Sequence, residues 1–354
     1  MASTPKSADD GIVGNVKEYY GKTITSTDDF KTSVACTRSS KPPQRIAELI
    51  GQIHDDVASK YYGCGLCIPS CLEGCNVLDL GSGAGRDCFI VSKLVGPSGR
   101  VTGVDITEEQ ITFANQYKDY HREKFGLKEN NVDFVLGYME KLAEAGIDSD
   151  SHDIIISNCV ICLSADKPAV LKEGYRALKT GGEIYFSDMY ADRPLPEKLK
   201  NSTDTVLWGE GLSGSLYWKE LINIAEEVGF STPRLVDASV ININKELLDL
   251  VEGTKYASVT YRLFKLPEDR SSETVVRYRG SISDHEDQLT FDWNNTFKKG
   301  QAVKVDAELA TILRSSRYAS HFDFDCDSDL AESASQSIDP NPFAILKEST
   351  CSKD

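Results

Sequence analysis

The sequence predicts an α/β fold: a doubly wound, Rossmann-like parallel sheet, then an appended α+β region and a small C-terminal unit. Short apolar strands alternate with helix-length segments between residues 46 and 190. This alternation is typical of a parallel sheet wrapped by helices. A glycine-rich turn over residues 81–85 directly follows the first of these strands. The chain has 354 residues, which suggests about two or three domains.

The predicted elements follow one another in a regular order. Residues 42–63 carry apolar side chains at helical spacing, which predicts a first helix. The glycine pair Gly181 and Gly182 is expected to end the last helix before the fifth strand. Strands are predicted at 76–80, 100–106, 131–139, 151–158 and 183–190, with helices at 86–96, 107–126, 139–147 and 168–182.

The rest of the chain divides by composition. An amphipathic helix at 213–230 and a strand at 256–266 indicate the appended region, and several short strands with a helix at 307–316 indicate the C-terminal unit. The polar start is expected to be mobile, and the acidic, serine-rich end is expected to be disordered. The predicted segments are 1–45 (mobile), 46–190 (main domain), 191–268 (appended domain), 269–325 (C-terminal domain) and 326–354 (disordered tail).

Charge and apolar content exclude several classes of partner. The formal net charge is −16, so a nucleic-acid partner is not expected, because phosphate binding needs a basic face. The sequence shows neither a signal peptide nor a membrane span. We therefore expect a cytoplasmic protein without a membrane partner, and a monomer.

Cysteines are concentrated in one part of the chain. Eight of the ten lie between Cys36 and Cys162. In a reducing compartment most should be free thiols, and reactive or ligand-binding thiols are favoured over a disulfide scaffold. Zinc is disfavoured, because Cys64, Cys67, Cys71 and Cys75 lie within a few residues of one another, whereas structural zinc sites usually need two separated pairs.

The glycine turn predicts a nucleoside site. Gly81, Gly83 and Gly85 would let the backbone approach a ligand and point a helix N-terminus at it, with Ser82 in the same turn. Asp105 ends the next strand, where an acid can bind ribose hydroxyls.

A dinucleotide fingerprint would place a third packing glycine where Arg86 stands. With Asp79 before the first glycine, the motif is instead similar to that of class I S-adenosylmethionine-dependent methyltransferases. A pyridine-nucleotide enzyme and a glycine turn without a ligand remain as alternatives.

Longer motifs carry a more specific resemblance. The segments YYGCGLCIP, VLDLGSGAGRDC, VTGVDIT, HDIIISNCVI and GGEIYFSDMY, with VLWGEGLSGSLYWKEL, together resemble the arsenite methyltransferases of animals over roughly residues 10–320. The resemblance implies a class I methyltransferase domain, a following arsenic-binding domain and a small C-terminal domain. It also implies S-adenosylmethionine as methyl donor, a trivalent arsenical as substrate, and thioredoxin or glutathione as thiol reductant.

The resemblance also implies the site residues. Catalytic thiols would be Cys36, Cys64 and Cys159. One departure is visible: the family carries a cysteine in WGECLGG, where this chain has Gly211. The cysteine-rich tail of the family is also missing. The positions implied to bind the donor are Tyr62, Gly63, Gly81, Gly83, Asp105, Ile106, Gln110, Met139, Glu140 and Asn158, with Ser82 and Gly85 in the same turn.

Thiol chemistry explains why such a site needs no base. Trivalent arsenic is soft and binds sulfur, and its lone pair can attack a methyl carbon without losing a proton. Methylation oxidises the arsenic, and two cysteines that become a disulfide can return the electrons. We expect Cys36 and Cys64 to be that pair. Cys162, in SNCVICL, could join Cys64 and Cys159 as arsenic ligand in place of the missing cysteine, or could be a buried small apolar residue.

Two further functions remain open from the sequence. The loss of the family cysteine at Gly211 could restrict the enzyme to methylated arsenicals, or to another small molecule such as a quinone. Alternatively, the chain could be a non-catalytic thiol protein that sequesters arsenic. Donor binding separates the enzyme from the sequestering protein, and turnover on arsenite against methylarsenite separates the two enzymes.

Overall fold

A computed structural model describes residues 8–20, 31–33, 42–325, 331–336 and 338–346. In the described part, no helix is both long enough and apolar enough to cross a membrane. The helices are α1 Ala8–Glu18, α2 Gln44–Ile50, α3 Asp55–Ala58, α4 Arg86–Val95, α5 Glu108–Gln116, α6 Lys118–Lys124, α7 Lys167–Ala177, α8 Glu197–Lys200, α9 Thr205–Gly209, α10 Trp218–Val228, α11 Lys245–Leu248 and α12 Ala307–Ser315.

The strands form one large sheet and two small ones. The strands are β1 Asn76–Leu80, β2 Arg100–Asp105, β3 Val132–Leu136, β4 His152–Asn158, β5 Leu178–Ala191, β6 Leu216–Tyr217, β7 Arg234–Ile241, β8 Tyr256–Phe264, β9 Thr274–Tyr278, β10 Gln288–Thr290, β11 Thr296–Lys298, β12 Ala302–Val305, β13 Phe322–Asp323 and β14 Ser333–Ala334. The large sheet has the order β3-β2-β1-β4-β5-β8-β7, with β6 beside β5, and the small ones are β10-β11 and β13-β9-β12-β14.

The large sheet confirms the predicted doubly wound fold. Strands β1 to β5 are parallel, and β1 pairs with both β2 and β4. Successive residues of β1 face opposite sides, so Val77 packs with α4 in one apolar core and Leu78 packs with α7 in another. The strand order reverses between β1 and β4, and a crevice opens beyond the carboxyl ends of the strands at such a point.

The appended region is more closely integrated than the sequence predicts. Its strands β7 and β8 belong to the large sheet, and β8 pairs antiparallel with β5 along Glu183–Ala191. The large sheet therefore continues across the domain boundary that was expected near residue 190. The physical reason is that β5 would otherwise be an edge strand with unpaired backbone groups. Alternation of apolar residues does not reveal such long-range pairing.

Three predicted helices differ from expectation in length or continuity. Helix α7 ends at Ala177, and Gly181 and Gly182 lie inside the long strand β5. A β-carbon at Gly181 would lie 1.8 Å from the backbone oxygen of Ser315, so this glycine permits close contact with the end of α12. The helix predicted at 107–126 divides into α5 and α6 at Tyr117, and that at 139–147 is one short 3-10 turn.

Both termini hold more structure than the sequence predicts. Within the segment expected to be mobile, Ala8–Glu18 is helical. Within the expected disordered tail, β14 pairs with β12, and Phe343 packs against the main core. The C-terminal unit is joined to the large sheet by the buried carboxylate of Glu183, which pairs with Arg262 and Arg317. Residues 331–336 and 338–346 of the expected tail thus have defined positions, while the domain bounds themselves stay a prediction.

Candidate functional site

A cleft lies beyond the carboxyl ends of β1, β2 and β4. Its empty volume, including the part open to solvent, is about 1130 Å³, which is ample for a nucleoside-sized ligand. The glycine turn forms its floor, and the YYGCG loop lines it through Tyr62 and Gly63. The cleft thus occupies the position that the strand order predicts.

The glycine turn is closely packed at its first residue. A β-carbon at Gly81 would lie 2.4 Å from a methyl carbon of Val160, and the φ angle of Gly81 is +71°. Both observations require glycine here. Gly83 has a φ of +50° and open space beside it, so a ligand can approach the turn closely, although the Gly83 N–H itself donates to Asp105. Gly85 caps the N-terminus of α4 and lies outside the cleft lining.

Asp105 is held at the edge of the cleft by backbone groups. Its carboxylate accepts the Gly83 N–H at 2.9 Å and the Thr107 N–H at 2.8 Å. Burial raises the pKa of Asp105 above its usual value, while these N–H groups oppose the shift. A carboxylate has lone pairs beyond the two used here, so Asp105 can still accept ribose hydroxyl groups.

Two polar atoms in the cleft wall have no hydrogen-bond partner among the described residues. They are the hydroxyl oxygen of Ser82 and the side-chain carbonyl oxygen of Gln110, and both are buried. A buried polar group without a partner is costly, at about 1–3 kcal/mol. Because both residues line the cleft beside Asp105, a polar ligand with hydroxyl and amino groups fits this wall.

The position of Arg86 explains why the turn departs from the dinucleotide pattern. Its guanidinium lies 3.6 Å from the centre of the Tyr61 ring and 3.1 Å from the carboxylate of Asp87. Arg86 therefore packs the start of α4 against the YYGCG loop. Asp79 is buried behind it and accepts the Cys88 thiol at 3.1 Å, and its pKa is raised by burial and by Asp87.

The cysteine loop is attached to the end of β4. Cys64 forms a disulfide with Cys159, with 5.7 Å between their Cα atoms. Both side chains are buried, and Cys159 lines the cleft. Cys64 is thus joined to Cys159, whereas the sequence-based expectation pairs it with Cys36. Cys36 lies outside the described residues, so its partner in turnover stays a prediction.

A second, smaller cavity adjoins the cleft. Tyr20, Tyr62, Cys159 and Leu163 line both spaces, so the two are neighbours. The cavity has an empty volume of about 240 Å³, including the part open to solvent, so a nucleoside does not fit it. Its remaining lining residues are Cys162, Met189, Gly209, Glu210 and Gly211.

Cys162 lies in a 3-10 turn, Ile161–Leu163, that follows β4. Its backbone N–H donates to the Asp188 carboxylate at 2.9 Å. Burial and the negative charge of Asp188 raise the pKa of the Cys162 thiol well above its ordinary value. Cys159 itself has a φ of +56°, so residues 159–162 do not form one regular helical turn, yet both cysteines line one cavity.

The structure places most of the expected donor residues around the cleft. Asn158 lines it, but its side chain mainly holds the cysteine loop. Whether each residue contacts the donor stays a prediction. The expected residues that line the cleft are Tyr62, Gly63, Gly81, Ser82, Gly83, Asp105, Ile106, Gln110, Met139, Glu140 and Asn158.

Several lining residues were not found from the sequence. Val16 and Tyr20, at the end of α1, line the cleft, and the Lys17 ammonium lies 3.4 Å from the Tyr138 hydroxyl on its rim. In the sequence, the only signal for this segment is the pair of tyrosines in VKEYYGKTI at 16–24. Asp188, which lines neither space but accepts the Cys162 N–H, could have been found, because it lies near the carboxyl-terminal end of β5 in the same way that Asp105 ends β2.

Family models match two regions of the chain. A model described as a methyltransferase domain matches residues 72–229, and a model described as an arsenite methyltransferase C-terminal domain matches residues 271–354. A crystal structure of an arsenic(III) S-adenosylmethionine methyltransferase from Chlamydomonas reinhardtii superposes with a TM-score of 0.77 at 40% identity, covering 81% of this chain and 97% of that one. The class I methyltransferase fold is thereby confirmed.

Sequence relatives extend over nearly the whole chain. The arsenite methyltransferase of Mus musculus is 51% identical, with 89% of this chain and 84% of the relative covered. The arsenite methyltransferase of Homo sapiens is 50% identical, with 88% of this chain and 83% of the relative covered. The arsenite methyltransferase of Aquipseudomonas alcaligenes is 45% identical, with 88% of this chain and 90% of the relative covered. This chain belongs to the arsenite methyltransferase family.

Proposed function

We propose that this enzyme transfers methyl groups from S-adenosylmethionine to thiol-bound trivalent arsenic, converting arsenite into methyl- and dimethylarsenicals. The observation that carries the proposal is the adjacency of two spaces. A nucleoside-sized cleft and a small cysteine-lined cavity share Cys159 and Tyr62 in their walls. A donor in the first would therefore meet a substrate in the second.

The cleft residues would hold the donor. Asp105 is positioned for the ribose, and Ser82 and Gln110 offer unpartnered oxygens to a polar ligand. When bound, S-adenosylmethionine supplies an electrophilic methyl group. Asp79 and Asp87 contribute acidic groups to the same wall, which suits a positively charged ligand.

The thiols would hold the arsenic. Cys64 and Cys159 would each bind it through sulfur once their disulfide is reduced, as a soft ion prefers. The arsenic lone pair is the nucleophile, so no proton has to leave. In agreement, none of the five histidines, all of which are described, lines the cleft or the small cavity. Holding the donor and the arsenical in neighbouring spaces accelerates methyl transfer through proximity.

The Cys64–Cys159 disulfide suggests how the redox cycle closes. Methylation raises arsenic from the trivalent to the pentavalent state. Two thiols can then give it two electrons, becoming a disulfide and releasing two protons. An external thiol, thioredoxin or glutathione, would reduce the disulfide again, which is why we propose the cytoplasm as compartment. Cys36 would exchange with this pair from the N-terminal segment.

Gly211 favours one alternative function. If the cavity lacks a needed sulfur at this position, the enzyme would act only on arsenicals that already carry a methyl group. Such substrates have fewer open valences and need fewer thiols. A protein that only sequesters arsenic would need no donor site, whereas most of the residues expected to bind the donor line the cleft here.

Arsenic speciation tests the proposed function. The reduced full chain is incubated with arsenite, S-adenosylmethionine and glutathione, and in parallel with methylarsenite, and the products are separated by chromatography. Methylated product from arsenite supports the proposal. Product from methylarsenite alone supports the restricted enzyme. Donor and arsenite binding without any methylated product would contradict both enzyme functions.

A further inference from the structure

We propose that Cys162 supplies a sulfur ligand to the arsenical at the small cavity opposite Gly211, together with Cys159, which lines the same cavity, and with Cys64, which is bonded to Cys159. The inference rests on the proposed function and specifies how its substrate is held. In the described part of the chain, Cys162 is the cysteine that lines this cavity beside Cys159.

The Cys162 sulfur faces Gly211 directly. A β-carbon built on Gly211 would lie 3.2 Å from that sulfur and 3.7 Å from the Met189 sulfur. Even a single carbon at residue 211 would be in tight contact with the thiol, so glycine leaves this side of the sulfur uncovered. A larger side chain would occupy that space, and the φ of +76° would also strain it.

Both walls of this space are fixed by hydrogen bonds. On one side, the Cys162 N–H donates to Asp188 at 2.9 Å. On the other side, the Glu210 carboxylate accepts the Tyr19 hydroxyl at 2.7 Å and the Thr32 hydroxyl at 2.8 Å. Residues on both sides of the space between the thiol and Gly211 are thus held in place by the fold.

The chemistry suits a buried, uncharged thiol. Arsenite carries three hydroxyl groups, and each condensation with a thiol forms one S–As bond and breaks one As–O bond. The thiol proton leaves with the hydroxyl group as water, so no electrons are transferred. Cys162 can react in this way at once. Cys64 and Cys159 can do so after a thiol reductant has opened their disulfide with two electrons and two protons.

This ligand set predicts that the effect of losing Cys162 on binding depends on which arsenical is bound. Arsenite can use three sulfurs, whereas an arsenical with one carbon substituent has only two open valences. Loss of Cys162 should therefore weaken arsenite binding and leave the binding of a monosubstituted arsenical to Cys64 and Cys159. A merely structural role would weaken both to a similar degree.

The test compares Cys162→Ser with the matched control Cys67→Ser. Cys67 is also buried, its thiol donates to the Ser157 carbonyl at 3.1 Å, and it lines neither cavity. X-ray absorption of the reduced full chain with arsenite should show three sulfur neighbours in the parent and in Cys67→Ser, and two sulfurs with one oxygen in Cys162→Ser. Arsenite affinity should fall at least about tenfold in Cys162→Ser, and phenylarsine oxide affinity by less than about threefold.

Three sulfur neighbours, or parental arsenite affinity, in Cys162→Ser would overturn the inference while the proposed function stands. A parent chain that binds no arsenical would contradict both. If Cys162→Ser does not fold, as judged by circular dichroism, Cys162→Ala is measured in the same way. A comparable loss of affinity for both arsenicals in a folded variant also overturns the inference.

Discussion

The side-chain oxygen of Asn158 accepts the backbone N–H of Cys64 at 2.9 Å and that of Gly65 at 3.2 Å. The amide nitrogen of Asn158 donates to the Tyr61 hydroxyl at 2.6 Å and to Asp87 at 3.2 Å. One residue at the end of β4 thus fixes the loop that carries Cys64 between the glycine turn and Cys159. The cysteine loop owes its position to this asparagine as well as to the disulfide.

Asn158→Ala should lower both stability and methyl transfer. It leaves the Cys64 and Gly65 N–H groups without their acceptor, which costs about 1–3 kcal/mol for a buried donor. Urea unfolding under reducing conditions measures the change in the free energy of unfolding. The control is Asn130→Ala, an exposed asparagine that donates to Asp119, for which we expect a change within about 0.5 kcal/mol. Equal stability of the two variants would refute the role of Asn158.

Asp105→Ala should weaken donor binding. A hydrogen bond to a charged group contributes about 1.5–3 kcal/mol, so the affinity for S-adenosylmethionine should fall by about 10- to 100-fold. Titration calorimetry of the folded variant measures it. Asp133→Ala is the control, because Asp133 is exposed on β3 and pairs with Lys118 away from the cleft. Unchanged affinity in Asp105→Ala would remove the ribose assignment.

Cys64 should be found linked to Cys159 when the protein is isolated without reductant. Peptide mapping by mass spectrometry under non-reducing conditions identifies the partner. After one turnover we expect a Cys36–Cys64 linkage to appear as well, because Cys64 can exchange between two thiols. Cys64 that stays reduced while methylated product accumulates would contradict this redox cycle.

Glu183 should make stability depend on acid pH. Burial opposes ionisation of this carboxyl, but the adjacent Arg262 and Arg317 dominate and hold its pKa below the usual value of 4.5. A lowered folded-state pKa stabilises the protein above the unfolded pKa, and this stabilisation is lost as the pH falls through the folded value. Near neutral pH, Glu183→Gln should cost about 3–5 kcal/mol, because two buried guanidinium groups lose their counter-charge.

Denaturant unfolding at several pH values checks the effect of Glu183. The difference between parent and Glu183→Gln should be constant near neutrality and shrink in acid. Glu273→Gln is the control, since Glu273 pairs with Lys304 at the surface, where such a pair contributes about 0–1 kcal/mol. A Glu183→Gln cost as small as that of the control would show that the buried ion pairs do not stabilise the C-terminal unit.

The local features of the fold were predictable from the sequence, and the long-range ones were not. Strand β1, the glycine turn and Asp105 follow from apolar periodicity and glycine spacing within a few residues. Pairing of β8 with β5, by contrast, joins residues about 70 positions apart, and no periodicity encodes it. The same holds for Gly181, whose role depends on contact with Ser315.

Only the local features of the candidate site could be predicted from the sequence, because its other contacts join residues that are far apart in the chain. Cys159 and Cys162 are close in sequence, so their shared cavity could be expected. The closure of the cleft by α1 and the opposition of Gly211 to Cys162 depend on tertiary packing. Cysteine spacing also does not determine disulfide pairing, which explains why the Cys64–Cys159 bond was not foreseen.

We expect a methyl group to pass from the donor to arsenic held by this cavity. The most direct measurement follows deuterated methyl from S-adenosylmethionine by mass spectrometry, with arsenite and glutathione, in the parent, Cys159→Ser and Cys67→Ser. We predict deuterated methylarsenicals and matching S-adenosylhomocysteine from the parent and Cys67→Ser, and neither from Cys159→Ser. Deuterated product from Cys159→Ser at the parental rate, or none from the parent, would contradict this expectation.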